Sequence, residues 1–247
     1  DQLFAIIDDS SIDLPNVACL MFAQQEASYL VGLVAGSVTE SKTVGYVQGM
    51  VSDSMNLFGI GYIAGVLEAC PDATVLQYNA NNFGDIAGGS TAAKDMITNG
   101  ADVIYHAAGG TGIGVINTCA EEGIWAIGVD TDQAATINKL GTEGMTVTSA
   151  MKGLGATVKA TLKDVIENGN WANYGGKIAT LGLVSGDDPE LNYVQIPMES
   201  TQWTDNFTKD DYKALVKSMF DGTVKVSDDT SAMPAHNIIV NEYDNIM

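Results

Sequence analysis

Short runs of apolar, often β-branched residues closed by polar tips alternate with stretches of helical spacing along most of this chain. The first run, Leu3-Phe-Ala-Ile-Ile7, is closed by Asp8-Asp9-Ser10-Ser11 and has the length and composition of a buried strand. After a turn at Asp13-Leu-Pro-Asn16, Val17–Phe22 reads as a second strand. Residues 24–39 read as a helix whose Gly32, Ala35 and Gly36 permit close approach of a neighbouring backbone. Strands are predicted at Thr43–Val47, Thr74–Gln77, Val103–Tyr105 and Trp125–Val129, with helices between them near residues 54–69, 87–98 and 114–122. Further strands follow at Met145–Ala150 and Lys177–Leu183. Helices are predicted at Gly155–Asn168, with Val158, Leu162, Val165 and Ile166 on one face, and at Thr208–Phe220. Glu190–Pro197 holds a short strand, and Thr223–Val226 is strand-like.

Such alternation with short connections predicts an α/β fold with mostly parallel sheets covered on both faces. From Val44 to Asp130 it is nearly regular and marks one compact lobe, whereas the strand count elsewhere is uneven. The expected organisation is two Rossmann-like lobes with the first incomplete. Residues 1–28 supply part of lobe 1, residues 29–144 form lobe 2 with a crossover helix, and residues 145–247 return to lobe 1 and the C-terminal segment. Met233, Ile238, Ile239 and Val240 are expected to pack back onto the lobe of the first strand.

Two strand ends carry the candidate chemistry. Val103-Ile-Tyr-His-Ala-Ala-Gly-Gly-Thr-Gly-Ile-Gly114 runs from a strand through a glycine loop into a helix, and Ile127-Gly-Val-Asp-Thr-Asp-Gln133 ends the next strand. Ligands of open α/β sheets bind at such strand ends. Backbone N–H groups of Gly109 and Gly110 could face a ligand at the helix start, or the glycines could form only a tight turn. His106 could donate to a ligand or be a satisfied structural histidine. Asp130 could accept two hydrogen bonds from a vicinal diol or cap a helix. Asp132 reads as an Asx cap with a weaker claim to contact. Lys152, a cation at a helix start where cations are disfavoured, could pair with Asp130, reach a polar ligand group or be merely solvated. Asp8 holds the matching strand tip in the other lobe. Phe58, Tyr62 and Phe83 could stack on a planar group, although Phe58 and Tyr62 lie on a helix stripe typical of a core.

Composition narrows the chemistry. The chain has 31 acidic residues against 11 basic ones, all lysines, for a formal charge of −20. That field repels phosphate backbones and anionic headgroups, so no nucleic-acid partner is expected. The glycines match neither the dinucleotide nor the phosphate-loop pattern, and no nucleophile carries a base and an orienting partner at motif spacing. Cys19, Cys70 and Cys119 lack metal-ligand spacing, Cys70 and Cys119 reading as buried thiols, and the paired aspartates do not form a calcium loop. No metal, cofactor or catalytic residue is expected. No apolar run approaches the roughly 18 residues of a spanning helix.

Several stretches together resemble the basic membrane lipoprotein family, the solute-binding proteins of the PnrA type. They are Phe4-Ala-Ile-Ile-Asp8, Leu14-Pro-Asn-Val17, Tyr29-Leu-Val-Gly32, Val44-Gly-Tyr-Val-Gln-Gly-Met50, Phe58-x-x-Gly-Tyr62, Ala101 to Gly112, Ile127 to Gln133 and Thr148-Ser-Ala-Met-Lys152. The resemblance implies a bilobed type I periplasmic-binding fold, held at the outer face of the membrane by a lipid anchor outside the visible chain. It also implies delivery of nucleosides, often purine nucleosides, to the permease of an ABC importer. In that pattern Asp130 holds the ribose hydroxyls, Lys152 completes the polar network, Asp8 faces the base side, and His106 to Gly110 line the cleft. The family's N-terminal aspartate, Ser-Phe-Asn cluster and stacking aromatic have no counterpart after Asp1, so the N-terminal portion of lobe 1 is expected to be missing. A nucleoside-processing enzyme on the same cleft, or a sensory or antigenic surface protein that lost transport, are the alternatives.

Overall fold

The computed structural model describes residues 2–138, 145–231 and 239–242. Its strands form two sheets. The smaller contains β1 (Phe4–Ile7), β2 (Val17–Phe22) and β8 (Lys177–Leu181), parallel in the order β1-β2-β8. The larger contains β3 (Thr43–Gln48), β4 (Thr74–Asn79), β5 (Val103–Ala107), β6 (Trp125–Asp130), β7 (Thr146–Lys152), β9 (Val194–Gln195) and β10 (Ile239–Glu242). Its order is β10-β4-β3-β5-β6-β7-β9, parallel except for β9 against β7.

The period-two geometry of a strand splits the larger sheet's apolar residues between two faces. Val44, Tyr46, Val103, Tyr105 and Ile127 join one core with α1 (Gln24–Val38) and α2 (Asp53–Ala69). Val47, Leu76, Ile104 and Ala126 join a second core with α3 (Ile86–Thr98) and α4 (Thr111–Glu122). The first core depends on glycine. A Cβ on Gly65 would stand 2.1 Å from Tyr29 O, and one on Gly61 2.2 Å from Gln25 O. Only a hydrogen at these positions lets α1 and α2 approach so closely.

The chain passes between the sheets at three places: β2 into α1, β7 into α6 (Leu154–Ile166), and β8 to β9. Backbone bonds tie these crossings together, from Ala23 N–H to Leu181 O (2.9 Å), Gly153 N–H to Tyr193 O (2.7 Å) and Tyr193 N–H to Gly182 O (3.2 Å). The short α5 (Ala134–Asn138) follows β6, and α7 (Lys209–Phe220) buries Tyr212, Val216 and Met219. Thr208 and Asp211 close α7 with reciprocal capping bonds.

Five expectations differ from the structure. The sequence pattern puts the strand at Met145–Ala150 in lobe 1, but β7 pairs with β6 in the larger sheet, and β9 and β10 join that sheet too. A strand's own residues specify its buried faces, not which sheet receives it. Consequently Ile239 and Val240 lie beside β4, away from the first strand; Met233 and Ile238 fall outside the described residues. Phe4 in β1 is 53% exposed, although its run reads as buried, because β1 is the edge of a three-stranded sheet. On α6, Val158, Leu162 and Ile166 face outward while Thr157 and Thr161 are the buried positions. Thr223–Val226 forms no strand; Val224 and Val226 pack as partly buried side chains.

Candidate functional site

The C-terminal ends of β1, β5, β6 and β7 meet at a cleft of about 270 Å³. Its lining includes Asp8, Phe58, Phe83, Gly109, Asp130 and Lys152, together with Gln24, Ser54 and Met55. Lys152 ends β7 and its side chain is only 5% exposed. Its ammonium lies 2.6 Å from Asp8 Oδ2 and 3.2 Å from Asp130 Oδ1, so a residue of each sheet's strand ends meets one cation. It also stands 4.8 Å above the Phe58 ring and 5.9 Å from Phe22. Burying an ammonium costs several kcal/mol, and two carboxylates with a cation–π contact are the groups that offset it.

Both aspartates have backbones in the left-handed region, each with φ 66°. At Asp130 the cause is visible: Thr131 N–H donates to Val129 O at 2.8 Å, closing a γ-turn of the rarer positive-φ kind. Such strain persists only where surroundings fix it. Asp130 Oδ1 is buried beside Lys152, yet no donor reaches it with hydrogen-bond geometry. Its charge faces Lys152, while the side chain as a whole is 45% exposed and borders the cleft.

His106 lies elsewhere. It is buried beneath the strand ends and does not line the cleft; its Nε2 is 3.1 Å from Gln133 Oε1. Gln133 Oε1 also accepts from Val129 N–H at 2.8 Å, so the histidine's Nε2 carries the proton. Burial pushes the His106 pKa down to about 4, against the raising effect of the Gln133 bond, and the ring is neutral near pH 7. Nδ1 has no hydrogen-bond partner.

Part of the glycine loop is architectural. Gly109 adopts φ 54° and borders the cleft, while Gly110 precedes α4 and is not part of the lining. The amides of Thr111, Gly112 and Ile113 donate to Phe83, Gly109 and Gly110 carbonyls, which leaves them unavailable as an anion cradle. Thr111 Oγ1 bonds Asn82 O at 2.6 Å and accepts from Asp85 N–H at 2.9 Å, fastening the loop that carries Phe83. Phe83 is exposed over Gly49 and Gly109, a flat apolar face at the cleft wall. Phe58 is buried in the floor beneath Lys152. Asp132 stays outside the cleft, accepting from Ala134 N–H (3.0 Å) and Ser200 Oγ (2.8 Å) as an Asx cap.

Sequence reasoning overlooked Gln24 and Ser54. Gln24 Nε2 donates to Ser54 O at 2.7 Å and Ser54 Oγ at 2.8 Å, pinning the start of α1 to the start of α2. The signal was present in the two adjacent glutamines, Gln24 and Gln25, one residue past an apolar strand; both are buried. Cys19, Cys70 and Cys119 are buried free thiols.

A family model described as "ABC transporter substrate-binding protein PnrA-like" matches residues 1–226. The chain belongs to this family. PnrA-like relatives include the CD4+ T-cell-stimulating antigen of Listeria monocytogenes, 38% identical over 60% of this chain and 45% of that protein. The ABC transporter nucleoside-binding protein BmpA of Lactococcus lactis is 35% identical over 74% of this chain and 55% of its own length. The chain thus spans about half the length of these relatives. Among solved structures, a solute-binding protein of an ABC transporter system from Aeropyrum pernix superposes with TM-score 0.68 at 25% identity, covering 91% of this chain and 65% of that one. One from Conexibacter woesei gives 0.67 at 22% identity, covering 92% and 71%. The PnrA-like chain therefore has the type I periplasmic-binding fold, with two lobes of mainly parallel sheet.

Proposed function

We propose that this chain is the nucleoside-binding part of an extracytoplasmic receptor that delivers purine nucleosides to the permease of an ABC importer. The observation that carries the reading is Lys152, buried between Asp8 and Asp130 at the cleft, with the Asp130 carboxylate still partly exposed to it. A vicinal diol supplies two donors to a carboxylate, and its oxygens accept from an ammonium. Phe83 offers the base a stacking face across the cleft. Two carboxylates around one ammonium leave the cluster net negative, which favours a neutral nucleoside over its phosphate esters. The cleft volume lies near the lower end of the range for small-molecule sites, about 300 Å³. The reading is supported by the Lactococcus relative, whose name states nucleoside binding. An extracytoplasmic, lipid-anchored location is part of it; no described helix is long and apolar enough to cross a membrane.

Calorimetry with guanosine, adenosine, inosine and uridine, with chromatography of the same mixtures, tests the proposal. Saturable binding with unchanged nucleoside is the expected result. Turnover, or no binding to an intact folded chain, would overturn it.

A further inference from the structure

Gln133 joins three neighbouring strands through one residue. Its side-chain oxygen accepts from Val129 N–H on β6 (2.8 Å) and from His106 Nε2 on β5 (3.1 Å), and its own N–H donates to Ser149 Oγ on β7 (3.1 Å). The side chain lies back across the end of β6, over Gly128. A Cβ at Gly128 would stand 2.8 Å from both Gln133 Cβ and Oε1, and 2.6 Å from Ser149 Oγ. Glycine at that position is therefore what admits the glutamine.

Asp130 lies inside this bracket, between Val129 and Gln133. The Val129 amide, which a continuing strand would give to its neighbour, goes to Gln133, while the Val129 carbonyl accepts Thr131 N–H and closes the γ-turn. Asp130 is thus held at φ 66° by bonds on both groups of the residue before it. The strained backbone aims its carboxylate at Lys152 and the cleft. His106, buried and neutral, has no role at the cleft surface, but it fills the second acceptor site on the Gln133 oxygen.

We propose that Gln133, steadied by His106, is a positioning residue that sets the Asp130 turn and thereby the preference for ligands carrying vicinal hydroxyls. The ligand half of this statement rests on the nucleoside reading; the turn half does not. Gln133→Met keeps the length and removes the acceptor, Gln133→Glu keeps the acceptor, and Gly128→Ala displaces the side chain by another route.

Crystal structures of the ligand-free variants read the turn directly. Asp130 is expected to leave the positive-φ region in Gln133→Met and Gly128→Ala and to retain it in Gln133→Glu. A turn unchanged in Gln133→Met overturns the proposal. The wild-type chain supplies a reading that needs no variant. The Val129 amide should exchange as slowly as its neighbours in β6, and imidazole nitrogen shifts should show the Nε2–H tautomer of His106 at pH 7. A fast Val129 amide, or the Nδ1–H tautomer, overturns it as well.

For ligand choice, Gln133→Met should weaken guanosine binding by about tenfold, the scale of one lost buried hydrogen bond. It should leave 2′,3′-dideoxyguanosine within about twofold of wild type, since that ligand has no diol for Asp130 to hold. Equal losses for both would mean the residue supports the fold without positioning Asp130. Wild-type protein that binds neither nucleoside sinks the functional reading, while the structures and exchange rates still decide the role of Gln133.

Discussion

β1 and β5 are both short apolar strands whose following residues face the cleft, yet their circumstances differ sharply. Val103–Ala107 is buried at every position, between β3 and β6 and beneath helices on both faces. Phe4–Ile7 pairs on one side only, with β2, and its first residues are exposed. Among the described residues nothing pairs with its other edge. On the same sheet, Ile178 in β8 is 63% exposed, whereas Ile104 in β5 has no exposure. The contrast shows that an apolar run announces a strand, and that its neighbours decide whether the strand is stabilised by burial. It also means the two carboxylates on Lys152 stand on unequal supports: Asp130 on a dense sheet, Asp8 on an edge.

The strongest test of the larger lobe is Gly65→Leu. Since a Cβ alone meets Tyr29 O at 2.1 Å, α1 and α2 must separate. The expected loss exceeds about 4 kcal/mol, enough to abolish cooperative melting followed by circular dichroism. Ile104→Ala should cost about 2–5 kcal/mol in urea unfolding, while Ile178→Ala on the smaller sheet should stay within about 0.5 kcal/mol. Similar values would dissolve the comparison.

His106 gives the dense sheet a pH signature. An unfolded histidine takes its proton near pH 6.5, whereas the buried ring resists protonation until about pH 4. Stability should therefore be complete above pH 6.5 and decline by about 2–3 kcal/mol as pH falls toward 4. Urea titrations of wild type and His106→Gln across that window check it; parallel curves would refute the assignment. At the cleft, Asp130→Ala should weaken guanosine binding by about 10–100-fold, the range for a hydrogen bond to a charged group. Asp132→Ala should change it by less than about threefold, because that carboxylate is occupied by Ala134 and Ser200. Calorimetry that returned equal losses would remove the role given to Asp130. The gentlest comparison is native-state amide exchange, in which β5 amides should open only with the whole fold and the outward-facing amides of β1 much sooner.

Much of this was legible in the sequence for a local reason. Strand tips announce themselves as a carboxylate or glycine directly after an apolar run, and Asp8, Asp130 and Gly109 were found that way. Lys152 stood out because a cation is out of place at a helix start. What was not legible depended on pieces distant in the chain. β7 carries no mark of the sheet it joins, and α6 shows an apolar stripe whether or not anything covers it. His106 looked exposed to the cleft because it directly precedes the loop. Strand parity instead turns it away from Tyr105's side, where Gln133 meets it. Gln24 was passed over as a helix residue, since its bond to Ser54 joins positions 30 residues apart.

The shared φ of 66° at Asp8 and Asp130 makes the charge at each strand tip separable from its shape. Asparagine adopts the left-handed region about as readily as aspartate, and most other residues resist it. An Asp→Asn replacement at either tip therefore removes one unit of charge facing Lys152 while the backbone keeps its course. An alanine there changes both together. In a cluster this compact, the difference between the two substitutions measures how much of the hold on a ligand is electrical and how much is the fixed direction of a carboxylate.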